Sequence, residues 1–261
     1  MCIICFAEYV AATFGRNGIS PSYAQFAIPD SVAGDLAYHI SVSFLVRTSR
    51  QSGLLFYIGT DTTEALSNRT FVAIELSEVG IVSNVKLGDE IQTYILPGSL
   101  ADGMQHSIRV YRNYSLLQIN LDDTSMDYTI NYSLPLMPDV LYVGGMPLQN
   151  SRRRRDTYSD SFEQFSGTLQ DFQLNGARLQ SFPSNETDED GTPAPSVELP
   201  VNSENVDIGE VSDDMCQLMQ PCENNATCHT QFYNKYRLLL ACCSYHIHCL
   251  FLFLLCVLFI L

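Results

Sequence analysis

Apolar and polar residues alternate along much of the chain between Ser22 and Phe182. Four runs show the alternation clearly. Their apolar positions are Ile40, Val42, Phe44 and Val46, then Val72, Ile74 and Leu76, then Leu117, Ile119 and Leu121, and finally Tyr128, Ile130 and Tyr132. Because successive side chains of a β-strand point to opposite faces, each run predicts a strand with one buried face and one face in water.

Turn residues interrupt these runs about every 8–12 positions, which is typical of antiparallel sheets joined by short loops. Asn175-Gly176 in particular predicts a two-residue hairpin turn, because both residues tolerate positive φ. No stretch of ten residues in this block has a helical period. We therefore predict an all-β antiparallel sandwich, of the jelly-roll kind, over residues 20–182.

Composition separates the remaining segments. Residues 1–19 are an N-terminal segment that we expect to be the start of a fragment. Residues 183–214 contain ten acidic residues, four prolines and no Lys or Arg, which predicts a disordered acidic linker. Residues 238–261 lack Asp, Glu, Lys and Arg over 24 positions, enough to span a bilayer. Two interpretations of that hydrophobic end stay open: a membrane anchor or lipid-anchor signal, and an aberrant end translated from non-coding sequence.

Cysteines and glycosylation sequons point to an extracellular protein. Of nine cysteines, two stand in the first five residues and seven follow residue 215, so the sandwich folds without disulfides. The dense C-terminal group indicates an oxidising compartment. Five Asn-x-Ser/Thr sequons are typical of a secreted or cell-surface glycoprotein. Their asparagines are Asn68, Asn113, Asn131, Asn185 and Asn225.

Charge and motifs exclude some classes of function. The formal net charge is −15, which disfavours nucleic acid as a partner because phosphate backbones are repelled. The chain has no G-x-S-x-G, HExxH or phosphate-binding loop motif. We therefore expect no catalytic residues and no required cofactor, and the hypothesis is a binding protein, not an enzyme.

The block from about residue 20 to residue 182 resembles a laminin G-like domain. The resemblance lies in the order and spacing of several segments. They are Ile40–Arg47, Gly53–Gly59, Phe71–Leu76, Leu100–Val110 with its Asp102-Gly-x-x-His106-Ser motif, Leu141–Gly145 and Phe165–Gly176. The resemblance implies a β-sandwich that binds extracellular protein or glycan through its loops, and it implies a structural role for His106.

The segment 215–237 is similar to the start of an EGF-like module. Cys216, Cys222 and Cys228 are spaced like its first three cysteines and are the disulfide candidates, but the pattern ends before the remaining ones. A laminin G-like domain followed by this module is similar to Crumbs-like, neurexin-like and Fat-like receptors. The resemblance thus implies part of a cell-surface adhesion or polarity receptor.

A calcium site is a further expectation from the resemblance. Laminin G-like domains often hold Ca²⁺ at a sheet rim through an Asp just before the strand that corresponds to Phe71–Leu76, but Thr70 stands there. Ca²⁺ requires several oxygen ligands. Asp61 and Asp160 are the remaining candidates, because their carboxylates could approach the rim. The alternative interpretation is that both are solvated loop acids.

The run Arg152, Arg153, Arg154 and Arg155 lies in a predicted loop. Three interpretations stay open: a site for a sulfated glycan or acidic partner, a cleavage site for secretory-pathway proteases, and a solvated loop.

For the whole chain the leading hypothesis is a non-catalytic recognition module. The alternatives are a sandwich-fold carbohydrate-active enzyme or lectin, and a structural spacer fragment without its own ligand.

Overall fold

The computed structural model describes residues 11–61, 68–131, 134–147, 162–181 and 198–209, together with the backbone of 227–231 and 235–239. The chain forms two compact units, residues 1–213 and 214–261. Strands dominate the described residues. A single α-helix in these ranges, α1, has four residues, Asp30–Ala33, and a 3-10 helix spans Arg16–Gly18.

Fifteen strands lie among the described residues of the first unit. Their bounds are β1 Ala12–Phe14, β2 Tyr23–Phe26, β3 His39–Arg47, β4 Gly53–Gly59, β5 Phe71–Ser77, β6 Gly80–Lys86, β7 Gln92–Pro97, β8 Gln105–Asn113, β9 Leu116–Leu121, β10 Thr124–Thr129, β11 Val140–Val143, β12 Gly167–Leu174, β13 Ala177–Leu179, β14 Asn202–Glu204 and β15 Val206–Ile208.

These strands form two antiparallel sheets, as predicted. The eight-stranded sheet has the order β10-β9-β8-β3-β12-β1-β15, with β13 paired to β12. The seven-stranded sheet has the order β14-β2-β11-β4-β5-β6-β7. The prediction of an all-β antiparallel sandwich is confirmed.

The core lies between the sheets and consists of the predicted apolar positions. Ile40, Val42, Phe44 and Val46 of β3 are buried, and so are the inward residues of β5 and β9. Phe44 stacks on Phe172 of β12, with ring centroids 5.2 Å apart, and both rings meet Phe56 of the other sheet edge-on. This aromatic contact joins the two sheets near the middle of the core.

Two glycine-containing turns follow from backbone sterics. Asn175 and Gly176 have φ of 47° and 85° and connect β12 to β13, so the predicted two-residue hairpin is confirmed. Gly144 follows β11 with φ of 77°, and a Cβ there would lie 2.2 Å from the Phe14 ring. Only glycine permits both this conformation and this approach.

The outer face of the seven-stranded sheet differs from the prediction, which placed Phe71 and Ala73 in water. Both are buried in a second apolar cluster that includes Tyr57 and Tyr142. Met146 and Phe162, at the two described ends of the β11–β12 connection, pack into this cluster. These two described ends of the connection therefore cover part of a face that strand periodicity alone assigns to solvent.

Three further differences concern element bounds. The predicted strand over Tyr128–Tyr132 is instead β10, which ends at Thr129, because Ile130 leaves the ladder to enter the core. The sandwich also extends beyond 20–182. Strand β1 lies inside the predicted N-terminal segment. Strands β14 and β15 lie inside the predicted linker and pair with β2 and β1. Backbone pairing at a free sheet edge orders these residues despite their polar composition.

In the second unit, β16 (Thr227–Gln231) and β17 (Lys235–Leu239) form an antiparallel hairpin, with Cys228 opposite Leu238. Cys216, Cys222 and residues 240–261 lie outside the described residues. Within the described part of the chain, no helix has the length and apolar character needed to cross a membrane.

Candidate functional site

Loops meet at two opposite ends of the sandwich, and the sequons mark one of them. Asn68 precedes β5, Asn113 closes β8, and Asn131 follows β10, so all three lie at the end where β4, β8 and β10 finish. We call this the sequon end. Asn68 and Asn131 are exposed, and Asn113 is half-buried. Asn185 and Asn225 lie outside the described residues.

The predicted calcium ligand Asp61 lies at the sequon end beside Asp139. The Asp61 amide donates to an Asp139 carboxylate oxygen at 3.5 Å. Both carboxylates lie near enough to the phenol of Tyr57 to influence it electrostatically. The Tyr57 hydroxyl donates to the Thr60 carbonyl at 2.9 Å. Burial raises the pKa of Tyr57 well above its usual range, the two aspartates raise it further, and Arg69 opposes them. Negative and positive side chains therefore share this site.

Thr70 occupies the place where the resemblance implies an aspartate. Its carbonyl accepts from the Thr60 amide at 2.9 Å, and the two hydroxyls are 3.4 Å apart. Arg69, adjacent to Thr70, is buried. Asp160, the second predicted ligand, lies outside the described residues. Within those residues no group of three His, Cys, Asp or Glu side chains is placed to hold a metal ion.

Arg112 holds the loops of the sequon end together. Its guanidinium is fully buried and donates to three carbonyls, those of Tyr114 at 3.1 Å, Ala37 at 3.0 Å and Leu134 at 3.0 Å. Burial lowers the pKa of Arg112 to about 10, so it remains a cation at neutral pH. One side chain thus satisfies acceptors on three separate loops, an arrangement costly to disrupt because buried carbonyls need partners.

The opposite end carries a cavity, and we call it the Arg50 end. About 200 Å³ of space lies between the β1–β2 loop, the β3–β4 loop and the residues before β12. Arg50 stands at its exposed edge, Phe165 is fully buried in its wall, and Ser20, Ser52 and Ser166 add hydroxyls. No described carboxylate lies within ion-pair distance of Arg50. The cavity therefore offers a free cation beside polar and apolar walls.

Sequence analysis did not identify Arg50 or Arg112. The burial of Arg112 could have been predicted, because it follows Ile108 and Val110 at the same two-residue spacing along β8 and therefore faces the core. For Arg50 no signal existed, because its cavity joins segments more than a hundred residues apart. The predicted basic loop, Arg152–Arg155, lies outside the described residues.

His106, predicted to be structural, is also at the Arg50 end. Its Nδ1 lies 2.7 Å from Asp122 and its Nε2 lies 3.0 Å from Asp102. Because both ring nitrogens face carboxylates, the doubly protonated imidazolium fits best. Burial lowers the pKa of His106, but the hydrogen bonds to Asp122 and Asp102 outweigh it, and the net pKa is raised. His106 connects the β7–β8 loop to the β9–β10 turn.

Replacing His106 with glutamine is expected to remove a pH-dependent part of stability. A raised folded-state pKa gives stabilisation that is complete below the unfolded value of 6.5 and is lost as pH rises through the folded value. The variant should therefore lose about 1 kcal/mol at pH 6, since the aspartates are nearly half exposed, and less at pH 9. Urea unfolding at both pH values measures this. Equal losses at pH 6 and pH 9 would contradict it.

Glu75 bears on the enzyme hypothesis, because it is a half-buried carboxylate near Glu163 on the outer face of the seven-stranded sheet. Burial raises the pKa of Glu75 to about 7, the hydrogen bond from Asn84 lowers it, and Glu163 raises it. Thr93 in turn donates to the Asn84 Oδ1 at 2.7 Å, which completes a cross-strand ladder. Neither glutamate lines the cavity at the Arg50 end. Within the described residues, the pair forms part of a sheet surface.

Replacing Glu75 with glutamine is expected to stabilise the protein above pH 7. Because the pKa of Glu75 is raised from 4.5 to about 7, the carboxylate destabilises the fold progressively as pH rises from 4.5 to about 7, and the loss is complete above that value. The variant should be more stable than the parent by about 1–3 kcal/mol at pH 8 and equal to it near pH 4.5. Chemical denaturation across this range is the measurement. A constant difference at all pH values would show that packing is responsible instead.

Comparison with known proteins agrees with this fold. The laminin G domain family model matches residues 46–177. Human "Protein crumbs homolog 2" is 31% identical over 224 residues, which are 86% of this chain and 14% of that protein. The mouse protein of the same name is 30% identical over 236 residues, 89% of this chain and 15% of the relative. The chain thus spans about a seventh of these relatives.

Among solved structures, domains LG4-5 of the mouse laminin α1 chain superpose with a TM-score of 0.58 at 20% identity. The match covers 78% of this chain and 48% of the laminin one. That likeness supports the fold: two antiparallel sheets with loops gathered at either end. Taken together with the family match over half of the sequence, it leads to one conclusion: the chain belongs to the laminin G domain family.

Proposed function

We propose that this chain is a non-catalytic recognition module of a cell-surface adhesion or polarity receptor, which binds an extracellular protein or glycan through loops of its sandwich. The family and the similarity to Crumbs homologues support an extracellular role. The observation that carries the proposal is the contrast between the two ends of the sandwich. One has three sequons, and the other has a cavity with a cation, Arg50, that pairs with no carboxylate among the described residues.

Glycans at Asn68, Asn113 and Asn131 would crowd the sequon end and leave the Arg50 end accessible. Ligand binding is therefore expected at the Arg50 end. There the planar guanidinium of Arg50 suits a carboxylate, which it can engage with two parallel hydrogen bonds. Exposed Ile19 and Met104 at the same end add apolar contact area. We propose that the ligand presents an acidic group to this cavity.

The basic run Arg152–Arg155 supports a second binding element or a protease cleavage site. A glycan array and a heparin column separate these roles from the cavity. Replacing the four arginines together should weaken heparin retention if they bind sulfated glycan, while Arg50→Glu should weaken binding of carboxylated ligands. Unchanged retention of the four-arginine variant would remove the basic-loop proposal.

Three finer proposals rest on sequence alone. The EGF-like module would follow the sandwich, with Cys216, Cys222 and Cys228 in disulfides, and the hydrophobic end at 238–261 would associate with membranes. A calcium ion at Asp61 would require several further oxygen ligands. Thr70 offers no carboxylate there, and the buried cation of Arg69 lies close by. Calorimetric titration with CaCl₂ tests this last proposal directly, and Thr70→Asp, which adds a carboxylate, serves as its positive control.

A further inference from the structure

The sheet surface around Asn113 has an unusual composition. Tyr111 and Asn113 lie two positions apart on β8, so both side chains stand on the outer face of the eight-stranded sheet. Leu116 of β9 is directly opposite Asn113. Tyr111 is 37% exposed and Leu116 39% exposed, on a face otherwise lined here by polar residues such as Ser41, Arg109 and Gln118. The sequon asparagine is thus flanked by two exposed apolar side chains.

The side-chain oxygen of Asn113 is not used by the fold in the part of the chain that the structure describes. Its Oδ1 is buried without a hydrogen-bond partner among the described residues. A structural asparagine at a hairpin would be expected to bond nearby backbone, as Asn175 does: its Oδ1 accepts from the Ser41 amide of β3 at 2.6 Å, and its Nδ2 donates to the His39 carbonyl at 3.1 Å. The β8–β9 turn instead consists of Tyr114, with φ of 52°, and Ser115. Among the described residues, the Asn113 side-chain oxygen therefore stabilises no turn.

We propose that Asn113 carries an N-linked glycan whose first N-acetylglucosamine packs against the Tyr111 ring and the Leu116 side chain, so that the sugar completes the sheet surface. The proposal rests on the extracellular location in the proposed function. The new bond joins Asn113 Nδ2 to C1 of the sugar. The bond that breaks joins C1 to the diphosphate of a lipid-linked oligosaccharide donor, and the amide proton leaves with that diphosphate.

Distances on the sheet support this packing. A residue directly opposite on an antiparallel strand has its Cβ about 4.5–5.5 Å away, and a same-face neighbour on the strand lies about 7 Å away. A pyranose attached to Asn113 therefore reaches both Leu116 and Tyr111. Its apolar C–H face can lie on the negative face of the tyrosine ring and remove exposed apolar surface from water.

Asn131 provides the matched comparison. It is exposed and lies at the same end, but Thr129, not an aromatic residue, stands two positions before it. A glycan at Asn131 would extend into solvent without a platform. We expect glycans at both sites and stabilisation from the one at Asn113.

The test uses the full chain expressed in the secretory pathway of cultured animal cells, purified, and with glycans trimmed enzymatically to one N-acetylglucosamine. Mass spectrometry of glycopeptides should find Asn113 occupied. Ser115→Ala, which removes the sequon and keeps Asn113, should lower Tm by about 2–4 °C, while Asn131→Gln leaves it unchanged. Tyr111→Ser should lower Tm more in the glycosylated protein than in the Ser115→Ala background.

Each contrary result has its own meaning. An empty Asn113 beside occupied Asn68 or Asn131 would overturn the inference and leave the proposed function intact. Empty sequons throughout would count against the extracellular location as well. Occupied Asn113 with equal Tyr111→Ser effects in both backgrounds would show that the sugar does not contact the ring, and would also overturn the inference.

Discussion

Replacing Arg112 with methionine is expected to lower the free energy of unfolding by about 3–5 kcal/mol, among the largest effects of any single substitution here. Methionine fills much of the volume but donates no hydrogen bond. The carbonyls of Ala37, Tyr114 and Leu134 would then lose their common donor. Arg112→Lys should recover part of the loss, because one ammonium cannot reproduce the planar fork that contacts three loops.

Arg109 provides the control, since it lies on the same strand with its side chain exposed on the opposite face. Arg109→Met should change stability by no more than about 0.5 kcal/mol. Equilibrium urea denaturation of the three variants gives the comparison. A loss below about 1 kcal/mol for Arg112→Met would mean that water replaces the guanidinium easily, and that this end is less dry than the structure indicates.

A chain that ends at Phe182 is expected to be less stable by at least about 3 kcal/mol than one that ends at Glu210. The shorter chain lacks β14 and β15, and therefore the ladders to β2 and β1. It also lacks Asn205, whose Nδ2 donates to the Pro21 carbonyl at 2.7 Å and whose carbonyl accepts from the Ser22 hydroxyl at 2.8 Å. Two strand edges would become free to pair with other molecules.

Thermal unfolding and light scattering of the two chains measure this effect. The shorter chain should melt about 10 °C lower and aggregate earlier. Asn205→Ala in the longer chain should fall between them, because it removes one side-chain hydrogen bond and strains a position with φ of 50°. Equal melting temperatures for the two chains would show that residues 198–209 are a dispensable linker.

The period-two alternation predicted the sheet class and the inner face of β3, β5 and β9, because that pattern depends on local geometry alone. It did not predict burial of Phe71 and Ala73 on the outer face, since this depends on Met146 and Phe162, which are more than seventy residues further along the chain. Nor did composition predict β14 and β15. Their order comes from backbone hydrogen bonds to existing edges, and such bonds leave little trace in side-chain type.

The candidate sites show the same division. Sequons are local motifs, so the sequence identifies Asn68, Asn113 and Asn131, but only the strand connections reveal that the three share one end. The alternation along β8 predicts that Arg112 faces the core. It does not predict the three carbonyls that Arg112 binds, because these come from separate loops. The cavity beside Arg50 requires the juxtaposition of Ser20, Ser52 and Ser166, which the tertiary fold alone creates.

The most direct test of recognition through the Arg50 end is saturation binding of the labelled domain, secreted with its glycans, to cultured animal cells. Arg50→Glu is compared with Arg109→Glu, which makes the same charge change on the sheet face. We predict saturable binding that Arg50→Glu weakens at least about tenfold, corresponding to about 1.4 kcal/mol, and that Arg109→Glu leaves within twofold. Equal binding by the two variants, or no saturable binding by the parent domain, would contradict the account.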